Sequence, residues 1–237
     1  MFDSCQKSTG TGYTKTVALL TVAFIFLPAM LCAGDFSTYR GLQFGMNVPA
    51  AAKQTGTKPA EVRTAHERPA LIQEMEWQPR SRFLADPAKA DSIQEGLLCF
   101  YNGELFRIIV TYDRTKVEGM TAEDMVEAIS LTYGAATKPS VEIAYHSNYG
   151  EVAAVLARWE DPEYSYNLVR TGNRSSFAMV LFSKRLDGLA QAAIIEAVRL
   201  DAQEAPQRDL AKQKRREDEE RLVLDKARSA NKPNFRP

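Results

Sequence analysis

Cysteine and histidine are scarce in this chain: 237 residues hold three cysteines (Cys5, Cys32, Cys99) and two histidines. If the N-terminal part is removed, Cys99 stands alone, and one cysteine cannot form an internal disulfide. Stability must then come from an apolar core, and metal sites built on several thiolates are excluded. His66 and His146 are far apart in the chain, without the close spacing of a metal-ligand pair. Net charge is also missing. The 30 Lys and Arg balance 30 Asp and Glu, and without Lys7, Lys15 and Asp3 of the first 34 residues the count is 28 against 29. Such a body has no general attraction for nucleic acid, which is not an expected partner. No phosphate-cradling glycine loop, EF-hand or G-x-S-x-G nucleophile pattern occurs, and "GTGYTK" (10–15) lacks the strand that a phosphate loop needs before it. Neither a cofactor nor a metal is expected.

What is present begins with an apolar run, Val17 to Leu31, broken only by Thr21 and Pro28. Lys7 and Lys15 precede it and Cys32, Ala33 and Gly34 follow, the plan of a basic n-region, an h-region and a small-residue cleavage site. The run is shorter than the roughly 20 residues of a spanning helix. Residues 1–33 therefore match a secretory signal peptide. One alternative is an inner-membrane anchor over residues 16–33, the chain's only expected attachment to a membrane. Another is a lipoprotein signal modified at Cys32, which Leu31 fits poorly because a small residue belongs there. The expected location is the periplasm or the cell exterior.

Over the whole chain, the 45% apolar and 25% charged composition is that of a globular protein. Asn47, Pro49 and Gly56 cap, enter and close a short helix. Leu71 to Trp77 reads as a strand. "GLLCFYNGELFRIIVTY" is a hairpin about Asn102-Gly103, with Phe106, Ile108, Val110 and Tyr112 on one face and Leu105, Arg107, Ile109 and Thr111 on the other. Thr121 with Asp124 opens a second helix that Gly134 ends, its Met125, Val126, Ile129 and Tyr133 on one side. A second hairpin turns at Asp161-Pro162, with Val155, Ala157 and Trp159 sharing a face, and "SSFAMVLFSKRL" supplies a further strand. Asp187 opens a helix that ends before Pro206, followed by a charged helical extension fading into a disordered tail. The expected fold is α+β: a mostly antiparallel sheet of two hairpins plus extra strands, covered by two to three helices. Residues 35–205 form the domain, with 35–140 and 141–205 as candidate related units, and 206–237 form the tail.

The two helix segments share a plan. "GMNVPAAAKQTGTKP" (45–59) and "GMTAEDMVEAISLTYGAATKP" (119–139) each run Gly-Met, cap, helix, Gly, Thr-Lys-Pro. This resembles a motif of small bacterial outer-membrane assembly lipoproteins, and the whole chain resembles uncharacterised exported bacterial α+β proteins. The resemblance implies an envelope protein that works by binding partners, with no catalytic residues to carry over.

Two readings of function follow. In the first, an exported, non-catalytic binding or assembly-accessory protein engages a protein or envelope component through Trp159, Glu160, Asp161, Tyr164 and Tyr166, with no catalytic residue. In the second, the carboxylates of the Glu160–Glu163 turn serve an envelope hydrolase as acid and base. Cys99, among apolar neighbours, reads as an inert buried thiol.

Overall fold

The fold was obtained as a computed structural model, which describes residues 34–79, 91–145, 152–170, 176–234 and 236. Residues 1–33, with Cys5 and Cys32, and His146 lie outside the described residues. The fold is α+β. A two-stranded hairpin, β1 (Thr38–Tyr39) and β2 (Leu42–Gln43), precedes helix α1 (Val48–Thr55). Strands β3 (Arg63–His66), β4 (Ile72–Trp77), β5 (Ile93–Tyr101) and β6 (Glu104–Tyr112) form a meander, followed by α2 (Ala122–Tyr133). A second meander, β7 (Glu142–Ala144), β8 (Val152–Glu160), β9 (Tyr164–Arg170) and β10 (Phe177–Ser183), leads into α3 (Lys184–Asn231). All eight strands from β3 to β10 make one sheet in the order β3-β4-β5-β6-β10-β9-β8-β7, so the last strand of each meander pairs with the last strand of the other. In chain order, a helix closed by Gly and Thr-Lys-Pro stands at the head of each meander.

Local chemistry explains the helix limits. The Asn47 side chain accepts from the Ala50 N–H at 2.9 Å, and Gly56 takes a left-handed φ of 73° to leave α1. Thr121 and Asp124 form a reciprocal capping box, Asp124 N–H to Thr121 Oγ1 at 3.1 Å and Thr121 N–H to Asp124 Oδ2 at 2.7 Å. Asn102 and Gly103 both have positive φ, 49° and 85°, as a two-residue hairpin turn requires.

On the front face, α1, α2 and the β1–β2 hairpin cover Met75, Leu98, Ile108, Leu168, Met179 and their neighbours. On the back, Leu186, Ala190 and Ile194 of α3 pack on Ile72, Cys99 and Phe106. Two bulges change the faces expected from strict alternation. Cys99 pairs with Arg107 and Phe100 with Leu105, so Phe106 is an extra residue. Leu105 therefore joins Ile108 and Val110 in front, while Phe106 turns to the back beside Arg107. A second shift, at Leu156, separates Val155 on the back from Ala157 and Trp159 on the front.

Helix α3 runs through Pro206 instead of ending before it. Proline removes one backbone donor there, and the Arg208 guanidinium reaches back to the Asp201 carbonyl at 2.8 Å and its carboxylate at 3.2 Å, supplying a donor to the same turn. Beyond it the helix is solvated, and Gln213–Glu217 and Asp218–Arg221 contacts line its surface. Its first turn anchors it. Arg107 donates through Nε (2.8 Å) and Nη2 (2.6 Å) to Asp187, and through Nη1 to the Ala144 carbonyl at 3.2 Å. Burial outweighs the attraction of Arg107 and holds the Asp187 pKa above its ordinary value. An acid shifted this way contributes stability at low pH, and that contribution is lost as pH rises above the ordinary carboxylate value. The pair thus fixes α3 on the sheet and adds little net energy.

Removing one partner alone leaves a buried charge. Arg107→Met is expected to cost about 3–5 kcal/mol at neutral pH, and Arg107→Met with Asp187→Leu to recover most of that loss. Urea unfolding of the three proteins checks this; losses that simply add would show that the pair is not the anchor.

Candidate functional site

The residues around the second hairpin turn are largely structural. Trp159 is buried, and its indole N–H donates to Ser130 Oγ at 3.2 Å and to the Gly134 carbonyl at 3.0 Å, fastening α2 to the sheet. Tyr166 is fully buried and donates to the Thr38 carbonyl at 2.9 Å. Tyr164 stacks on Phe44 with ring centroids 5.4 Å apart. The acids are committed as well. Asp161 Oδ1 accepts from the N–H groups of Glu163 (2.7 Å) and Tyr164 (2.6 Å), shaping its own turn, and Glu160 pairs with Lys184 at 2.8 Å. Cys99 is buried against α3. His66 ends edge strand β3.

A different place gathers polar and apolar function. Tyr39, Arg40, Tyr112, Met120, Met125 and Tyr133 line a cavity of about 330 Å³ between the β1–β2 hairpin, the end of β6 and α2. Ligand pockets typically start at roughly this size, 300–1,000 Å³. Arg40 and Gly41 form the hairpin's two-residue turn with φ of 51° and 80°. The left-handed region costs a side-chain-bearing residue on the order of 1 kcal/mol, so Arg40 is held there by its surroundings. Asp91 binds its guanidinium, and Asp91 is itself fixed by the Ile93 N–H at 3.0 Å. Burial disfavours the Arg40 charge, yet the Tyr39 phenol and Asp91 outweigh it and raise its pKa.

Aromatic contacts build the wall beside the cavity. Tyr166 meets Phe36 at 5.1 Å, Tyr133 at 5.1 Å and Tyr39 at 6.2 Å, all edge-on, clamping hairpin and α2 to the sheet. Burial raises the pKa of Tyr39 well above the ordinary value, that of Tyr112 to about 12, and that of Tyr133 above its ordinary value; Arg40 pulls all three the other way. They are therefore neutral hydrogen-bond donors at physiological pH. Among the described residues, neither the Tyr112 nor the Tyr133 hydroxyl has a protein hydrogen-bond partner. Of the seven methionines in the chain, Met120, Met125 and Met179 line this cavity and make its apolar side deformable.

A second cavity of about 340 Å³ lies between α2 and β8, with Val126, Leu156 and Ala157 as walls and Glu123, Glu127 and Lys138 among its lining. It has no phenol and no arginine. Among the described residues, no three His, Cys, Asp or Glu side chains come together as metal ligands, and no helix is long and apolar enough to cross a membrane.

No protein-family model matches the chain, and no curated protein does. Among solved structures, a cysteine-rich secretory protein from Staphylococcus aureus is similar at a TM-score of 0.31 and 7% identity, over 60% of this chain and 45% of that one. The chain thus spans less than half of that protein's length, and a likeness this distant carries no functional argument.

The Tyr112 phenol, at about 12 when folded against 10.0 ordinarily, contributes stability that is complete below pH 10 and lost as pH rises from there toward 12. The urea midpoint is expected to fall between about pH 9 and pH 11.5, and Tyr112→Phe to flatten part of that fall. An unchanged slope would show that Tyr112 ionises freely.

Proposed function

We propose that the protein is an exported, non-catalytic binding protein of the cell envelope that holds its ligand in the cavity beneath the β1–β2 hairpin. The observation that carries this reading is the pairing of a charged arginine, kept in a left-handed turn, with two phenol hydroxyls that have no protein hydrogen-bond partner among the described residues, on one apolar cavity. Both hydroxyls reach solvent through the cavity, since among the described residues the buried side-chain polar atom without a partner is Gln191 Nε2, so a ligand entering there meets them as available donors. Export is supported by the leader's n-, h- and small-residue plan. An envelope role is supported by the Gly-Met, helix, Gly, Thr-Lys-Pro plan, which resembles that of outer-membrane assembly lipoproteins.

The hydrolase reading finds less support. A carboxylate that accepts two backbone N–H groups and another that pairs with lysine are already engaged, whereas a general acid needs a group poised to exchange its proton.

Ala128 stands exposed at the edge of the cavity. Native mass spectrometry of the protein recovered from the exported fraction should find a small molecule bound one to one, lost from a folded Ala128→Phe variant. Identical spectra for the two proteins, with no retained ligand, would sink the binding reading.

A further inference from the structure

The chemistry of the cavity beneath the β1–β2 hairpin narrows what it takes. Arg40 and Lys116 both line it, and among the described residues no carboxylate does; the acid nearest Arg40 is Asp91, which is already bound to it. The Arg40 side chain is 41% exposed, and the pair with Asp91 is made through Nη1. Its planar donor set matches a carboxylate. The Tyr112 and Tyr133 hydroxyls add two neutral donors that find no acceptor among the described protein groups. Neutral donors suit an anion's remaining lone pairs and add no charge of their own.

The rest of the wall is apolar: Val117, Met120, Met125, Ile129 and Met179. Methionine sulfur makes favourable contacts with ring edges and adapts to irregular shapes. An apolar cavity of about 150 Å³ already accepts benzene, so about 330 Å³ has room for a ring and a short acid chain. A phosphate dianion fits less well. It would bring two charges beside Asp91 and lie against methionine. The α2–β8 cavity serves as an internal contrast, since Glu123 and Glu127 on its lining oppose an anion.

Resting on the binding reading above, we infer that this cavity recognises a small monocarboxylate with an apolar, ring-sized body. Its carboxylate is bound by Arg40 and the phenol hydroxyls of Tyr112 and Tyr133, and its body lies against Met120, Met125 and Ile129.

The test is calorimetric titration of the purified protein with 4-phenylbutyrate and with the neutral 4-phenylbutanol. The acid should bind one to one and at least about tenfold more tightly than the alcohol. Arg40→Asn keeps a residue that tolerates the left-handed turn and removes the guanidinium. It should weaken the acid by about tenfold or more and leave the alcohol unchanged, and Ala128→Phe should abolish both. Should Arg40→Asn fail to fold, Tyr133→Phe, which removes only a hydroxyl, must still weaken the acid relative to the alcohol. Equal affinity for the two probes, or an acid indifferent to the substitutions at positions 40 and 133, overturns the carboxylate assignment while leaving the cavity as the binding site. Binding of neither probe overturns the assignment too, and the mass-spectrometric comparison with Ala128→Phe then decides separately whether the cavity holds any ligand.

Discussion

The pairing of β6 with β10 is the contact on which the rest of the molecule depends. Five residue pairs, from Thr111 opposite Ala178 to Arg107 opposite Phe182, join two four-stranded meanders into one sheet. Without that seam each meander would expose an edge rich in buried-type residues, Ile108, Ile109 and Val110 on one side and Met179, Val180 and Leu181 on the other. It also sets both faces. In front, Tyr112 and Met179 come from opposite sides of the seam to the same cavity. Behind, Arg107 stands on the seam, touches the Phe182 ring across it and holds the first turn of α3 through Asp187. Anchor and cavity are thus front and back of one joint.

What was legible in the sequence is what obeys local rules. Asn47, Thr121 with Asp124, and Asn102-Gly103 each satisfy or bend the backbone within a few residues, so their signal needs no knowledge of the fold. Strand faces were less legible, because one extra residue reverses alternation. Phe106 and Leu156 read as ordinary strand residues, and only cross-strand register shows which side each takes. Strands β3 and β7, four and three residues long, lie at the sheet's edges and carry almost no apolar periodicity. Pro206 misleads for another reason. A helix-breaking residue is tolerated where a long helix is already anchored upstream and the turn before the proline, at Ala202, is exposed to solvent.

The cavity as a whole was not legible, and the cause is topological. Tyr39, Tyr112 and Tyr133 lie in a hairpin, a sheet strand and a helix that chain folding alone brings together. No short-range pattern links such positions. The aromatics beside the second turn looked more like a site because they cluster in sequence, yet their density reflects a strand that faces the core with Tyr164, Tyr166 and Leu168.

One local sign did exist. Among the described residues, two hairpin turns are of the same kind, each with two consecutive positive φ values: 49° and 85° at Asn102-Gly103, and 51° and 80° at Arg40-Gly41. The first uses asparagine, which accepts the left-handed region readily and turns its side chain to use, accepting the Leu71 N–H at 3.0 Å. The second places arginine where asparagine or glycine would serve the turn at lower cost. Nothing in the hairpin's own backbone calls for a guanidinium. Its interactions lie outside the turn, with Asp91 and with the phenols around the cavity. Backbone strain retained against a cheaper alternative points from an outlier toward a use. Here that use is a fixed positive charge at the mouth of an apolar chamber, held by the geometry of a turn and therefore already in position when an anion arrives.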